Sequence, residues 1–151
     1  MMGLAKILAL GGGLAGFCAA YAMAQTELAT GPFTDPQVEA GRKVYTARCA
    51  ACHQANLAGQ GDALPLAGSR FMAGWSNRTT RDLYDLIQSS MPQNAPGSLD
   101  DQSYANVTAF ILHENGAKAG PMAFLQAPPL RISLVANGIA PGDLSTPPAA
   151  P

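Results

Sequence analysis

The stretch Cys49-Ala50-Ala51-Cys52-His53 decides the reading of this chain. Its C-x-x-C-H spacing is the attachment signature of a c-type haem. On a helix, residues three apart share one face about one turn apart, so both thiols can add to the two vinyl groups of a single porphyrin. His53, four residues after Cys49, falls on the same side and offers a ring nitrogen to the iron. Two competing readings fall away. A structural zinc site wants two further Cys or His ligands, and the chain has only Cys18 and His113 to give. A thioredoxin-like dithiol belongs beside a βαβ pattern, which the sequence lacks. One haem c, covalently held through Cys49 and Cys52, is therefore the expected cofactor.

The start of the chain reads as an exported protein. Lys6 supplies a positive n-region, Ile7 to Ala20 is apolar and rich in Gly and Ala, and Ala22-Met23-Ala24 offers a small-residue cleavage site. Residues 1–24 are expected to be a cleavable signal peptide, with Cys18 leaving in it. The alternative is an uncleaved N-terminal anchor, disfavoured because the apolar stretch is short of about 20 residues and holds Gly11-Gly12-Gly13. Cleavage leaves two cysteines, both in the haem motif, so the haem itself becomes the covalent staple of a small core. Export and haem attachment together point to the periplasm. Loss of Lys6 from 9 basic and 10 acidic residues leaves a mature charge of about −2, without a basic run. That argues against a nucleic-acid partner.

Residues 25–34 read as a flexible leader. A first helix is expected with Asp35 as N-cap and Pro36 at its first position, and with Val38, Gly41, Tyr45, Cys49 and Cys52 on its inner stripe. The Gly-, Asn- and Ser-rich stretch 54–78 predicts loops around the prosthetic group. Thr79 and Asp82 have capping-box spacing and open a second helix, with Leu83, Leu86 and Ile87 facing inward and Met91-Pro92 as its end. Ser98 and Asp101 suggest a third, running to about Glu114, burying Tyr104, Val107, Phe110 and Ile111, and stopped by Asn115-Gly116. The fold expected is all-α: a small haem domain over 35–118, with three main helices plus loops wrapped around the cofactor. Residues 119–151 carry much of the chain's proline and are expected to be a largely disordered Pro/Ala-rich tail. Within it, Leu130 to Leu134 alternates apolar and polar, a short-strand pattern, and residues 130–135 are the candidate to dock in extended form on a partner.

The second axial ligand is sought among Met72, Met91 and Met122. Met91 is chosen. It lies 38 residues beyond His53 at a helix end, and Pro92 stiffens the backbone that carries its sulfur. Met72 follows Phe71 and suits packing, and Met122 stands among the tail prolines. His/Met ligation raises the reduction potential and suits electron transfer. His113, near the end of the last helix, is read as a cap-region histidine and not as a ligand.

With C-x-x-C-H followed by Met-Pro, residues 37–120 resemble the class I monohaem cytochromes c. Within that class, Gly41-Arg42-Lys43-Val44-Tyr45, Leu57-Ala58-Gly59, Pro65-Leu66-Ala67-Gly68, Pro96-Gly97-Ser98-Leu99, Tyr104 and the run from Ile111 to Gly116 look like the cytochrome domains and subunits serving bacterial quinoprotein (PQQ) dehydrogenases. The resemblance implies that the carbonyl of Pro65 accepts a hydrogen bond from His53, fixing its tautomer. It implies that Gly41 lets the first and last helices cross, packed against Tyr45 and Tyr104. It also makes Arg70 and Trp75 candidate donors to a haem propionate. A surface arginine and a core tryptophan are the competing roles for that pair.

The function so implied is a periplasmic electron carrier, not an enzyme, either free or held as a dehydrogenase subunit. A periplasmic dehydrogenase, with quinoproteins as the suggested type, would be donor, and an oxidase or another cytochrome the acceptor. The alternative is a haem enzyme or small-ligand-binding module with an open sixth position. It would want distal residues that the sequence does not offer.

Overall fold

Thr34, not Asp35, caps the first helix, α1 (Asp35–Arg48). Thr34 and Gln37 make the reciprocal capping box, which moves the start one residue forward and puts Pro36 at the second position. These features belong to a computed structural model that describes residues 28–141. The expected signal peptide, 1–24, and residues 142–151 lie outside the described residues.

α1 pauses at Cys49, and one further turn, α2 (Ala50–His53), completes the motif. α3 (Gly68–Trp75) follows a loop, then come α4 (Thr80–Ser90) and α5 (Asp101–Glu114). Among the described residues there is no strand, only two isolated bridges, so the all-α expectation holds. α3 corrects the expectation of loops throughout 54–78. Its glycines and serine dilute the helical pattern, and its one buried side chain, Phe71, gives no stripe to read. The Thr79–Asp82 capping box opens α4 as expected. Leu86 is a correction: it is 46% exposed. The inner face of α4 is Thr80, Leu83, Tyr84 and Ile87, and Leu86 lies roughly 100° round the helix from Ile87. A second correction concerns α5, whose N-cap is Asp100, accepting from the Ser103 amide at 2.8 Å, and not Ser98. Its interior is buried as expected at Tyr104, Val107, Phe110 and Ile111.

α1 crosses α5 at Gly41. A Cβ there would lie 2.5 Å from the Asn106 carbonyl carbon, 2.9 Å from Phe110 Cβ, and closer still to the Asn106 oxygen. Tyr45 packs on Phe110 with ring centroids 5.2 Å apart. The glycine is thus met by Asn106 and Phe110, while Tyr104 serves elsewhere, as shown below.

The leader and the tail need the largest correction. Phe33 is fully buried, and residues 29–33 pair with the C-terminal segment through Ala29 N–H to Leu134 O (2.9 Å) and Gly120 N–H to Phe33 O (2.7 Å). From 119 to 141 the chain wraps back over the helices through a 3-10 turn (Phe124–Gln126) and a single turn, α6 (Ile132–Val135). Phe124, Ile132, Val135 and Ala136 are buried. Residues 130–134 are therefore no free strand. Leu130 and Arg131 are extended against the start of α4, with Thr80 N–H to Leu130 O at 2.8 Å, before α6 closes. Ile132 and Val135 are three apart, and five residues of alternation cannot separate a strand from such a turn. Prolines forbid a long helix here, but they do not forbid packing when helix ends supply the hydrogen-bond partners. The segment docks on its own chain.

Candidate haem-attachment site

Cys49 has φ −120° and ψ −34°, which breaks α1 and starts α2. The amides of Cys52 and His53 both point back to the Cys49 carbonyl, at 3.2 and 3.0 Å. Both thiols and the imidazole therefore belong to one turn. Neither cysteine is in a disulfide. Cys49 is half-buried and Cys52 exposed. Burial pushes the Cys49 thiol up to about 11, with the Cys52 thiol adding to the rise and Arg48 opposing it, so the group is neutral near pH 7.

His53 turns its Nδ1 to the carbonyl of Leu64, 2.9 Å away. A carbonyl only accepts, so Nδ1 carries a proton, and the neutral ring in that tautomer presents the Nε2 lone pair to a metal. The acceptor expected at Pro65 is corrected by one residue. The proline's part is indirect: it restricts Leu64 to extended backbone, and that restriction helps aim the Leu64 carbonyl. The loop is folded tightly to bring it there. Gly59 N–H reaches His53 O at 3.0 Å and Leu66 N–H reaches Leu57 O at 2.8 Å, while Gln54 and Leu57 sit at φ 63° and 61°. Left-handed backbone at a leucine is costly and persists only where the surroundings impose it. Tyr45 helps to do so, its hydroxyl donating to Gln54 O at 2.6 Å; burial raises the pKa of that phenol.

Met91 is the C-cap of α4, in extended conformation, with its amide on Ile87 O at 2.9 Å. Its carbonyl accepts from the Tyr104 hydroxyl at 2.8 Å. Its side chain is partly buried against the core, as are Cys49, Ala50, Leu66, Met72 and Trp75. These donors fit a haem c: two unpaired thiols one turn apart, a histidine whose free nitrogen is defined, and a partly buried thioether.

The family model described as cytochrome c oxidase, cbb3-type, subunit III matches residues 36–111. The chain belongs to this cytochrome c family. Membership makes haem the cofactor of the domain and electron transport its class of activity. No curated protein matches this cytochrome. Among solved structures it is similar to the sulfane dehydrogenase SoxCD from Paracoccus pantotrophus, at 20% identity and a TM-score of 0.44. That likeness covers 81% of this cytochrome and 64% of the other chain, so the cytochrome spans less than two thirds of its length.

The remaining candidates of the cytochrome are distributed unevenly. Arg70 is exposed on α3. Trp75, at the end of α3, is half-buried and stacks on Phe71 with centroids 6.0 Å apart. The cation beside that ring is Arg78, 5.0 Å from its centroid, a residue that no motif singled out. His113 is half-buried at the end of α5, its Nδ1 3.4 Å from Glu114. Two further contributors escaped the sequence. Leu64 acts through its backbone carbonyl, which no side-chain pattern announces. Asn115 was legible only as a helix stop, yet it is a fully buried hydrogen-bonding hub.

Proposed function

We propose that this cytochrome carries a single haem c on Cys49 and Cys52, with His53 and Met91 as its axial ligands, and works as an electron carrier in the periplasm. When bound, the haem supplies a one-electron ferrous–ferric couple. The protein's own part is to hold two ligands in place so that little moves on transfer. The observation that carries this reading is the His53–Leu64 hydrogen bond, which occupies Nδ1 and leaves Nε2 as the nitrogen available to a metal, beside two unpaired thiols. Met91 is supported by its place at the end of α4, where Tyr104 anchors its backbone.

The exported location rests on residues 1–24. The donor we propose is a periplasmic dehydrogenase, with quinoproteins suggested by the resemblance of segments such as Pro65-Leu66-Ala67-Gly68; the acceptor is an oxidase or another cytochrome. No helix among the described residues is long and apolar enough to cross a membrane.

Optical spectra of the haem-loaded protein test the reading. A low-spin spectrum with a methionine–iron charge-transfer band, unaffected when carbon monoxide is added to the reduced form, is expected. Rapid carbon monoxide binding would instead favour the small-ligand or enzymatic reading.

A further inference from the structure

Asn115 has no solvent exposure, and it stands where α5 ends. A buried primary amide is stable only if its donors and acceptor are paired. Here Nδ2 donates to Leu66 O at 2.9 Å and to Ile111 O at 2.8 Å, while Oδ1 accepts from Gly68 N–H at 3.0 Å. Two of these three bonds leave α5 for a segment 47 and 49 residues away. The same residue's backbone carbonyl accepts from the amides of Asn137 and Gly138, at 3.1 and 2.9 Å.

The segment it grips is the one that orients the histidine. Residues 64–68 begin at the carbonyl that His53 uses and end where α3 begins. The N-cap of α3 is Ala67, whose side chain has no oxygen to satisfy the first-turn amides. Asn115 supplies that oxygen from across the fold. It therefore ties down one end of a short segment whose other end is hydrogen-bonded to His53.

We propose that Asn115 is a positioning residue for His53, its carboxamide fixing the path of residues 64–68 and hence the Leu64 carbonyl that orients the imidazole. The inference rests on His53 being the iron's ligand. A firm Nδ1–H···O bond makes the imidazole a more electron-rich ligand, which favours the ferric state. Loosening that bond raises the reduction potential.

Hydrogen exchange of the His53 Nδ1–H, followed by NMR in the reduced haem-loaded protein alongside redox titration, tests this. In Asn115→Ala the protection of that proton should fall by about tenfold or more, as expected for loss of buried hydrogen bonds, and the potential should rise. Phe124→Ala, a core truncation elsewhere, should leave both readouts at their wild-type values. Unchanged protection and potential in Asn115→Ala, or equal shifts in Phe124→Ala, would overturn the proposal. Should Asn115→Ala not fold, the wild type decides. One opening should release the Gly68 amide and the His53 Nδ1–H together. A His53 proton that stays protected after Gly68 has exchanged refutes the link. A haem spectrum that survives His53→Ala defeats the ligand reading; an unresponsive proton in a haem-loaded, His53-ligated protein defeats this inference alone.

Discussion

The hydroxyl of Tyr104, on α5, donates to the carbonyl of Met91 at 2.8 Å, across 13 residues of sequence. The same oxygen lies 3.4 Å from the amide of Leu99, so one phenol joins both ends of the loop that follows α4. Tyr104→Phe keeps the ring in the core and removes the bond. A loss of about 1–2 kcal/mol in denaturant unfolding is expected. With Met91 as the proposed ligand, the methionine–iron band should weaken and carbon monoxide should gain access to the reduced iron; an unchanged band would separate Tyr104 from the proposed ligand.

Gly41→Ala would drive a methyl group into the Asn106 backbone. Backbone cannot swing aside as a side chain can, so α1 and α5 must separate. A cost of about 1–3 kcal/mol or more is expected, since overpacking a tight crossing is at least as costly as overpacking a core. Thermal unfolding of the variant checks it, and a gain in stability would contradict the close crossing.

Ile132→Ala removes a fully buried side chain from the returning segment. It should cost about 2–5 kcal/mol, the range for a core isoleucine. A freely mobile tail would give a change near zero in the same unfolding experiment.

Acid should weaken the helix starts. Asp82 accepts the Thr79 amide and Asp100 the Ser103 amide, and these bonds hold both carboxyls below the usual aspartate range. Their contribution is complete above the unfolded value of about 3.9 and is lost as pH falls through the lower folded values. Asp100→Asn keeps the acceptor but not the titration. Urea midpoints taken across acid pH should fall less steeply in that variant than in the wild type.

Much of the fold could be read in advance, and for local reasons. The haem motif acts within one turn, and the Thr79–Asp82 box operates over three residues. α5 is legible because a largely apolar run lies between polar ends, with Tyr104, Ala105 and all of residues 107–112 buried. α3 was missed because Phe71 is its single buried side chain. The tail was misjudged because its prolines report on backbone conformation and say nothing about whether Ile132 and Val135 find a core.

The sequence by itself determined the C-x-x-C-H motif and the residues proposed to hold a haem, the helices α1, α4 and α5, and the stop at Asn115-Gly116. Tertiary structure decided which carbonyl faces His53, that Leu86 points outward, and that residues 119–141 close over the helices. It also decided that Gln37, through Oε1, receives the Phe124 amide at 2.9 Å, 87 residues on, and that Asn115 caps α3. The division has a physical cause. Caps and periodic faces depend on neighbours within a turn or two, which the sequence displays, whereas a hydrogen bond between distant segments exists only after packing has excluded water and left each buried polar group the partners within its reach.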